Sequence, residues 1–408
     1  MSLPVPKVEI GFDVVGANAP FFRLDDPVKG VLDNTQYPLS GTIFYDITDR
    51  VTSVSIRRGK NRQLDQYDAG LANIVLLNLD RTFDPEYPDS PYAGQIIPRR
   101  AVRISSEGKT IFTGTVDDWN LSYEPSGYSE ASAACSDAFS LLKNQSLAAG
   151  TATPQLPGAR ISYVLDQPSV DWPQDKRDLD PGTITLGADV IAEDTNALDY
   201  LRKVALSESG QVYVGKEGDL IFRDRNLATV GTPILFSDDG TGVGYTEIKV
   251  VYGSELLYNE VVLSNFENET ATASDLDSIA QYGVLTLSES DLLASDGEEL
   301  INLALLQVRK YANPEYRFEA LSVILDKFDS VTQQSLLDLE IGDIVQVRFT
   351  PNGIPPAINK YAEVISINHD MTPEAHVMSL GFSSVENNPW RLSDPVFGRL
   401  SSGNVLSF

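Results

Sequence analysis

The chain has 408 residues and a formal net charge of −27, with 58 acidic against 31 basic side chains. Its hydrophobic content of 42% and charged content of 22% are ordinary for a folded protein, and its length predicts two to four domains. The negative charge argues against sequence-independent DNA binding, which needs a cationic face. The single cysteine, Cys135, excludes an internal disulfide framework and any metal site built on several cysteines.

Neither a membrane span nor a secretory signal is expected. No uninterrupted apolar run reaches the ~18 residues that a spanning helix needs. The first residues, MSLPVPKVEIGFD, lack a basic stretch followed by an apolar core. We therefore expect the protein to be made in a cytosol.

The apolar alternation around Cys135 predicts a small buried residue there and not a reactive thiol.

An arm and a β-rich domain are expected at the start of the chain. Residues 1–40 are rich in Pro, Gly and Asp and predict an N-terminal arm with one strand, such as Val8–Val14. Residues 41–145 hold short apolar runs between turn residues, which predicts a first barrel-like β domain. Within it, both faces of Asn73–Asp80 are apolar, as expected of a strand that is buried on both sides.

The later strands of this domain carry two further signals. The apolar face of Ile111–Tyr123 changes side near Asp117–Asp118, and such a slip of one residue predicts a β-bulge. After a predicted strand at Ser129–Cys135, we expect Ser136 to cap a short helix with Asp137 in its first turn.

A linker and a helix–hairpin unit are expected in the middle of the chain. The composition of residues 146–190 predicts an interdomain linker or an extended loop. Residues 191–244 predict a helix followed by two short strands. Thr195 or Asp194 is expected to cap that helix, and Gly210 is expected to end it. The strands, joined by a Gly-Lys-Glu-Gly turn, are expected at Gln211–Val214 and Leu220–Arg223.

Residues 245–385 predict a second barrel-like β domain interrupted by helix, and residues 386–408 predict an exposed tail or an inter-subunit contact. Glu298–Ala312 has the clearest helical spacing, and Asp275–Tyr282 predicts a shorter helical turn. Strands are expected at Tyr245–Gly253, Asn259–Ser264, Tyr316–Leu325, Ile341–Phe349, Tyr361–Asn368 and His376–Phe382. Together these elements predict a mainly β fold with α+β insertions, in which two barrel-like domains are joined by helix-containing segments.

The two histidines of the chain, His369 and His376, flank a predicted turn and are expected to face each other across a hairpin. Together with Asp370 and Glu374 they could hold a cation. Their spacing does not match a zinc motif such as HExxH, so ordinary turn residues are the favoured interpretation.

Other patterns that suggest chemistry fit it poorly. The sequence has no Gly-x-Ser-x-Gly elbow and no GxxxxGK[ST] phosphate loop. Gly240–Gly244 lacks the spacing of a dinucleotide loop and precedes a strand, which predicts a β-turn. Asp117–Asp118 point to opposite faces of a strand, and Asp178 and Asp180 lead into Pro181 without a calcium loop. We therefore predict no catalytic, cofactor-binding or metal-binding residue, and no cofactor.

Two basic pairs, Arg57–Arg58 and Arg99–Arg100, are notable in so acidic a chain. One interpretation is that they are solvated strand ends. The other is that they form ion pairs between subunits of a homo-oligomer, where exposed pairs would set register more than stability.

Seven short blocks follow one another across residues 40–385. They are Val54–Gly59 (VSIRRG), Asn78–Pro85 (NLDRTFDP), Ile111–Trp119 (IFTGTVDDW), Asn196–Arg225, Gln281–Gly283, Ile341–Asp343 and His369 with the turn after it. In content and order they resemble the tail-hub or minor tail proteins of long-tailed, siphovirus-type bacteriophages.

This resemblance implies a non-enzymatic part of the virion tail tip, a hub that connects the tail tube to the tip or baseplate and forms part of the DNA passage. It implies a homotrimer in which two barrel-like domains per subunit build a pseudo-sixfold ring. The partners it implies are other copies of the chain and other tail proteins, namely the distal tail protein, the tape measure and tip or fibre proteins. Phage DNA would pass transiently without specific binding.

Two alternatives remain at this point. The chain could be a distal-tail ring or a receptor-binding adaptor, which a sixfold assembly would distinguish from a threefold hub. It could also be a tail-associated cell-wall hydrolase, which would need a pocket with two converging carboxylates. Because the second β domain is followed only by a short segment, an appended wall-cleaving domain is not expected.

Overall fold

The computed structural model describes residues 4–12, 43–226 and 232–385, together with Pro27. Strands outnumber helices throughout these ranges, which confirms the mainly β class with α+β insertions. The predicted N-terminal arm is described chiefly at its strand, which spans Pro6–Phe12. The predicted tail at 386–408 lies outside the described residues.

The strands and helices follow in chain order. The strands are β1 Pro6–Phe12, β2 Ile43–Asp46, β3 Val51–Gly59, β4 Asp68–Leu77, β5 Ala101–Ser106, β6 Lys109–Tyr123, β7 Ser129–Ser136, β8 Ser146–Leu147, β9 Gly150–Ala152, β10 Arg177–Leu179, β11 Asp189–Ile191, β12 Thr195–Asn196, β13 Gln211–Val214, β14 Leu220–Arg223, β15 Leu235–Ser237, β16 Glu247–Tyr252, β17 Glu260–Asn265, β18 Thr270–Ser274, β19 Thr286–Leu292, β20 Tyr316–Ile324, β21 Ile344–Phe349, β22 Ile358–Met371 and β23 His376–Ser384. The α-helices are α1 Phe139–Leu142, α2 Pro157–Leu165, α3 Ala197–Glu208, α4 Leu276–Tyr282, α5 Gly297–Tyr311 and α6 Ser330–Asp338.

Thirteen strands form one large sheet. Its path runs β16-β20-β23-β22-β3-β4-β7-β6-β5-β1-β2, with β21 paired to β22 and β15 paired to β21. The antiparallel pairing of β22 with β3 joins the two predicted β domains and places His369 opposite Ile56. Within the described residues the end strands β16 and β2 do not pair with each other, so the hydrogen-bonded path is open.

Smaller sheets flank this one. Strands β10, β14 and β13 form one three-stranded sheet, and β18, β17 and β19 form another. The short pairs β9–β11 and β8–β12 connect the segment before α2 with the segment before α3. Helix α3 contacts β12, β13 and β19, and α5 packs on β17 and β18.

One main core reaches across the large sheet and the helical middle of the chain. Ile74 of β4, Leu201 of α3 and Leu380 of β23 belong to the same contiguous set of buried side chains. A separate, smaller core lies between β17, β18 and α5, and includes Val261 and Leu300. The β regions therefore share a core as well as a sheet.

The expectation that residues 146–190 form a linker or extended loop is wrong. They contain α2, whose Ile161, Val164 and Leu165 are fully buried in the main core. Pro157 occupies the first turn of α2, where its missing N–H costs nothing. Three apolar residues at helical spacing thus outweigh the loop-like composition around them. The other domain boundaries stay predictions.

Two further expectations of the first β region are corrected. β4 covers Asp68–Leu77; within the predicted range Ile74 and Leu76 are buried whereas Val75 and Leu77 are half-buried, so only one face of this strand is fully buried. The N-cap of the short helix after β7 is Ala138 and not Ser136, and Asp137 just before it accepts from the Phe139 N–H through Oδ1 at 3.0 Å. The predicted bulge in β6 is confirmed, because the β6–β7 register shifts between Val116 and Asp118.

The helix–hairpin unit matches its prediction in outline. Both strands have the predicted bounds, and Gly218 adopts φ +83° in the turn between them. The cap of α3 is Asn196, whose side chain accepts from the Asp199 N–H, and not Thr195 or Asp194. Ser209, with φ 54°, takes the left-handed position expected for Gly210. In the second β region, α5 begins one residue before the predicted start and ends one before the predicted end.

Candidate functional site

The predicted contact between the two histidines is confirmed. His369 Nδ1 lies 3.0 Å from His376 Nε2 across the β22–β23 hairpin, and each residue is only 3% exposed. Ser106 Oγ lies 3.3 Å from His376 Nδ1, which extends the contact into a buried chain of three side chains. Burial lowers the pKa of His369 well below its usual range and lowers that of His376 to about 4.

This geometry suits neutral imidazoles. One of the two facing nitrogens must donate and the other accept, so one proton lies between the rings. Within the described residues no three side chains of the His, Cys, Asp and Glu types form a group that could hold a metal ion. The nearby Asp326 accepts from the backbone N–H of His376 at 3.1 Å. The pair therefore acts as a buried polar contact across the β22–β23 hairpin, next to β3.

Three of the four carboxylates in the predicted acidic pairs lie close to arginines. Asp178 and Asp180 both accept from Arg223, at 3.0 and 3.4 Å for its Nη1. Asp117 lies 3.7 Å from the exposed Arg99.

The predicted turn at Gly240–Gly244 is a bend that leads into a β-bridge at Val243. It follows β15, and β16 comes after it, so a strand stands where a dinucleotide loop would have a helix. Asp239 Oδ1 accepts from the Thr241 N–H at 2.9 Å and closes the turn.

Cys135 is buried in β7, and burial raises the pKa of its thiol, as expected of an unreactive residue.

Arg58 is not a solvated strand end. It is 5% exposed, and its guanidinium donates to Glu340 Oε1 at 2.7 Å and to the Val214 carbonyl at 3.2 Å. Glu340 in turn accepts from the backbone N–H of Lys216 at 3.0 Å. Arg58 thus forms a buried ion pair within the chain, where it ties β3 to the helix–hairpin unit. Arg57 beside it is exposed.

A cleft of about 390 Å³ opens where four parts of the chain meet. We call it the central cleft. Its walls are the loop at 60–67, the last turns of α3 with the start of β13, the last turns of α5, and the facing parts of β22 and β23. This volume falls within the range of roughly 300–1,000 Å³ that is usual for pockets that bury a ligand.

The floor of the central cleft is polar and buried. Glu363, 2% exposed, accepts a hydrogen bond from the Gln211 side-chain amide, and Tyr67 donates to Gln211 Oε1 at 2.9 Å. Lys60 Nζ donates to the Gln63 carbonyl at 2.8 Å and lies 4.7 Å from the centre of the Tyr67 ring. Burial lowers the pKa of Lys60 to about 8, and the charge of Glu363 opposes that shift.

Sequence reasoning did not identify this cleft. Lys60, Gln211 and Glu363 lie on three distant segments, and no spacing rule connects them. One local signal was present: Glu363 is a charged residue inside the apolar run of β22, between the buried Ala362 and Val364. An acid at such a position needs a polar partner from another element.

No protein-family model matches the sequence, and no curated protein matches it either. Solved structures do match its fold. The tail protein from Neisseria meningitidis MC58 matches with a TM-score of 0.59 at 12% identity, over 92% of this chain and 96% of that chain. The 43 kDa tail protein of prophage MuSo2 from Shewanella oneidensis matches with a TM-score of 0.57 at 13% identity, over 84% of this chain and 94% of that one.

A third structure extends the likeness to secretion systems. The E. coli c3393 protein matches with a TM-score of 0.50 at 8% identity, over 82% of this chain and 73% of that chain. It is described as a component of the type VI secretion system with structural similarity to the T4 bacteriophage tail proteins gp27 and gp5. At these identities the likeness concerns the fold: this chain has the fold of phage tail proteins. Of the helices in the described ranges, none has the length and apolar character needed to cross a bilayer.

Proposed function

We propose that this chain is a non-enzymatic structural component of a phage tail, and that it serves as the hub at the tail tip. The observation that carries the proposal is the extent of the fold likeness, which takes in 92% of this chain and 96% of the Neisseria tail protein. A shared fold over nearly the whole length of both chains favours a shared architectural role over a borrowed module. The hub would connect the tail tube to the tip or baseplate.

The proposed partners are two further copies of the chain and the neighbouring tail proteins, namely the distal tail protein, the tape measure and tip or fibre proteins. A trimer would carry about three times the charge of −27. Acidic side chains around a central opening would repel the phosphates of passing DNA, by the same electrostatics that attract DNA to basic grooves. DNA would then pass without being held. An opening lined by Lys and Arg would contradict this part of the proposal.

Immunogold labelling of intact particles, with antibody raised against this chain, tests the proposal directly. We expect label confined to the tail tip. Label elsewhere on the particle would indicate a different structural part, and no label even on partly disrupted particles would overturn a virion role. Image averaging of labelled tips would then separate a threefold hub from a sixfold distal-tail ring or adaptor.

The hydrolase alternative has a separate test. Asp178 is bonded to Arg223 and Asp117 lies 3.7 Å from Arg99, and we assign neither acidic pair a catalytic part. We expect the purified protein to leave no clearing zone in a gel cast with cell-wall peptidoglycan, in which lysozyme serves as the positive control. A clearing zone would overturn the non-enzymatic assignment and leave a tail location open.

A further inference from the structure

We propose that the central cleft is filled from within the chain, by the segment 386–400 that follows β23, with Trp390 as its anchor. The cleft is then an internal docking site and not a pocket for a small ligand. Such docking would occur in the single chain, whatever part the chain plays in a tail. Three observations support it: the place where the described chain ends, the apolar walls of the cleft, and the balance of charge.

The described chain ends in the wall of the central cleft. Ser384, the last residue of β23, and Val385 after it both belong to the lining. Ser384 Oγ donates to Glu315 Oε2 at 2.7 Å, and the buried Val385 packs with Ile344. The segment 386–400 therefore starts from a fixed point at the cleft wall.

Trp390 lies within reach of the cleft walls. It comes five residues after Val385, and five residues span at most about 17 Å. Pro389 just before it has no N–H to donate, so a strand is not expected to continue through this point. A short tether gives an effective concentration on the order of millimolar. The segment thus has an advantage over any free ligand and over a second copy of the chain.

The walls present apolar surface that an indole ring can cover. Leu64 and Leu306 are 39% and 38% exposed, Leu206 is half-buried, and all three lie in the lining. A tryptophan side chain that enters such a cleft removes roughly 150–250 Å² of its surface from water. Its ring N–H also needs an acceptor, and the carboxylates of Glu315 and Glu363 lie in the same lining. Tryptophan therefore matches both the apolar and the polar part of the walls.

The segment lacks the negative charge that opposes contacts between other parts of this chain. Within 386–400, Glu386 and Asp394 are balanced by Arg391 and Arg399, whereas the whole chain has a net charge of −27. The lining is mixed as well, with three carboxylates and five cations. A neutral segment with charges of both signs suits such a lining better than a strongly acidic one would.

Most cations of the lining already have contacts within the chain, so the cleft does not call for an anion. These contacts are Lys60 with the Gln63 carbonyl, Arg202 with Asp68, Arg225 with Glu208, and Lys310 with the ring of Tyr311. The carboxylate of Asp65, by contrast, is exposed in the lining, and no described cation lies within salt-bridge distance of it. Arg391, next to the anchor, supplies a cation for this carboxylate.

Limited proteolysis tests the docking at its anchor. Trypsin cleaves after arginine, and a docked segment hides the bond after Arg391, so cleavage there follows the fraction of chains in which the segment is released. Leu306→Glu puts a charge into the apolar wall, and we expect it to speed this cleavage by about 10-fold or more. Intact-mass spectrometry at early digestion times measures the loss of residues 392–408.

Leu305→Glu is the matched control. Leu305 is the neighbour of Leu306 in α5 and is 51% exposed, but it lies outside the lining, so the same change there should leave the cleavage rate at the wild-type value. Both leucines are partly exposed, so both variants should fold, which circular dichroism will show. Equal cleavage of the wild type and Leu306→Glu, or an equal rise in both variants, would overturn the inference.

Cysteine crosslinking shows whether the occupant is this segment and whether it belongs to the same chain. The natural Cys135 is buried, so a short bismaleimide reports on introduced cysteines. In dilute solution Leu64→Cys with Leu392→Cys should crosslink within one chain. Val331→Cys with Leu392→Cys should not, because Val331 is exposed on α6 outside the lining. No crosslink in the first pair, equal crosslinking in both pairs, or a product that joins two chains would contradict docking within the chain.

Discussion

The buried histidine pair makes stability depend on pH. The pKa of His376 is about 4 in the folded chain, against an ordinary value of about 6.5. Between pH 4 and pH 6.5 the unfolded chain therefore binds a proton at this ring that the folded chain does not bind. The stability that the pair provides is therefore complete above pH 6.5 and is lost as the pH falls towards 4. The loss can reach about 1.4 kcal/mol per pH unit for each ring.

Several charged groups around the pair act on this titration. Arg58 and Lys216 further lower the pKa of His369, whereas Asp326 raises that of His376. Elsewhere, burial raises the pKa of Asp137 to about 7, so its contribution has the opposite sign: it is complete at low pH and is lost as the pH rises through 7. The pH profile of the wild type alone thus mixes two opposed effects.

A comparison of two proteins separates these effects. We expect the free energy of unfolding of the wild type, minus that of the double variant His369→Gln and His376→Gln, to fall as the pH is lowered from 7.5 to 5. Asp137 is present in both proteins and cancels. Urea titrations at four pH values provide the measurement. A difference that is constant across this range would mean that the imidazoles do not titrate with folding.

Gly59 is a point of close approach between the two β regions. It has φ +108°, and a Cβ added there would lie 2.2 Å from the Ile365 carbonyl oxygen of β22. Gly59→Ala should therefore cost roughly 3 kcal/mol or more, from backbone strain and from the clash. Gly94→Ala is the matched control: its φ is +73°, but nothing lies within 4 Å, so only strain of about 1 kcal/mol is expected. Equal losses in urea unfolding would contradict the close approach.

At this scale the sequence predicted some contacts and missed others for a physical reason. The approach of His369 to His376 follows from a tight turn between neighbouring strands, and the bulge at Asp117–Asp118 follows from the period of two along one strand. The bond between Arg58 and Glu340 joins residues far apart in the chain. No local sequence pattern encodes a partner at that distance. The sequence around Arg58 therefore did not distinguish a buried arginine from an exposed one.

At the scale of elements, the end of α6 is held by a lysine from another unit. Lys216 Nζ donates to the carbonyls of Leu337 and Asp338 at 2.9 and 2.8 Å, where the helix leaves its last carbonyls without partners. Lys216→Met should therefore cost roughly 1.5–3 kcal/mol, the range for hydrogen bonds that involve a charged group. The measurement is equilibrium unfolding in urea at pH 7.

Lys109 provides the matched control for this prediction. Its ammonium also contacts the end of α6, through Asp338 Oδ2 at 2.8 Å, but the two side chains are 37% and 53% exposed. An exposed pair of this kind contributes about 0–1 kcal/mol. If Lys109→Met destabilised the protein as much as Lys216→Met, the buried contacts with the helix carbonyls would not be the cause.

Elements with strong periodicity were predictable, and short elements in polar surroundings were not. α5 and the hairpin of β13 and β14 were predicted to within one residue because their apolar spacing and turn glycine are unambiguous. α2 was missed because its nine residues lie among prolines and glycines that mark loops. The stability of α2 comes from the buried face that it packs into the main core. This tertiary packing cannot be read from the composition of the nearby residues.

For the whole molecule, the shared sheet and core predict how the protein unfolds. β3, β4, β22 and β23 lie side by side in one sheet and contribute to the main core, whereas β17, β18 and α5 enclose the smaller one. Cooperative units follow such contiguous cores, and the smaller core should open at a lower free energy. We expect hydrogen exchange followed by mass spectrometry to show two classes: slow, concerted exchange in the four large-sheet strands, and faster exchange in β17, β18 and α5.

Core truncations sharpen this prediction. Leu300→Ala removes a fully buried side chain from the smaller core, and we expect it to speed exchange in β17, β18 and α5 while β22 and β23 keep their protection. Ile74→Ala truncates a side chain of β4 in the main core, at a cost of about 2–5 kcal/mol, and should speed exchange in β22 and β23 as well as in the first β region. If Ile74→Ala affected only the first β region, the pairing of β3 with β22 would join two independent domains and not one cooperative body. A single body would suit the proposed hub role, because load on either β region would then be resisted by the whole sheet.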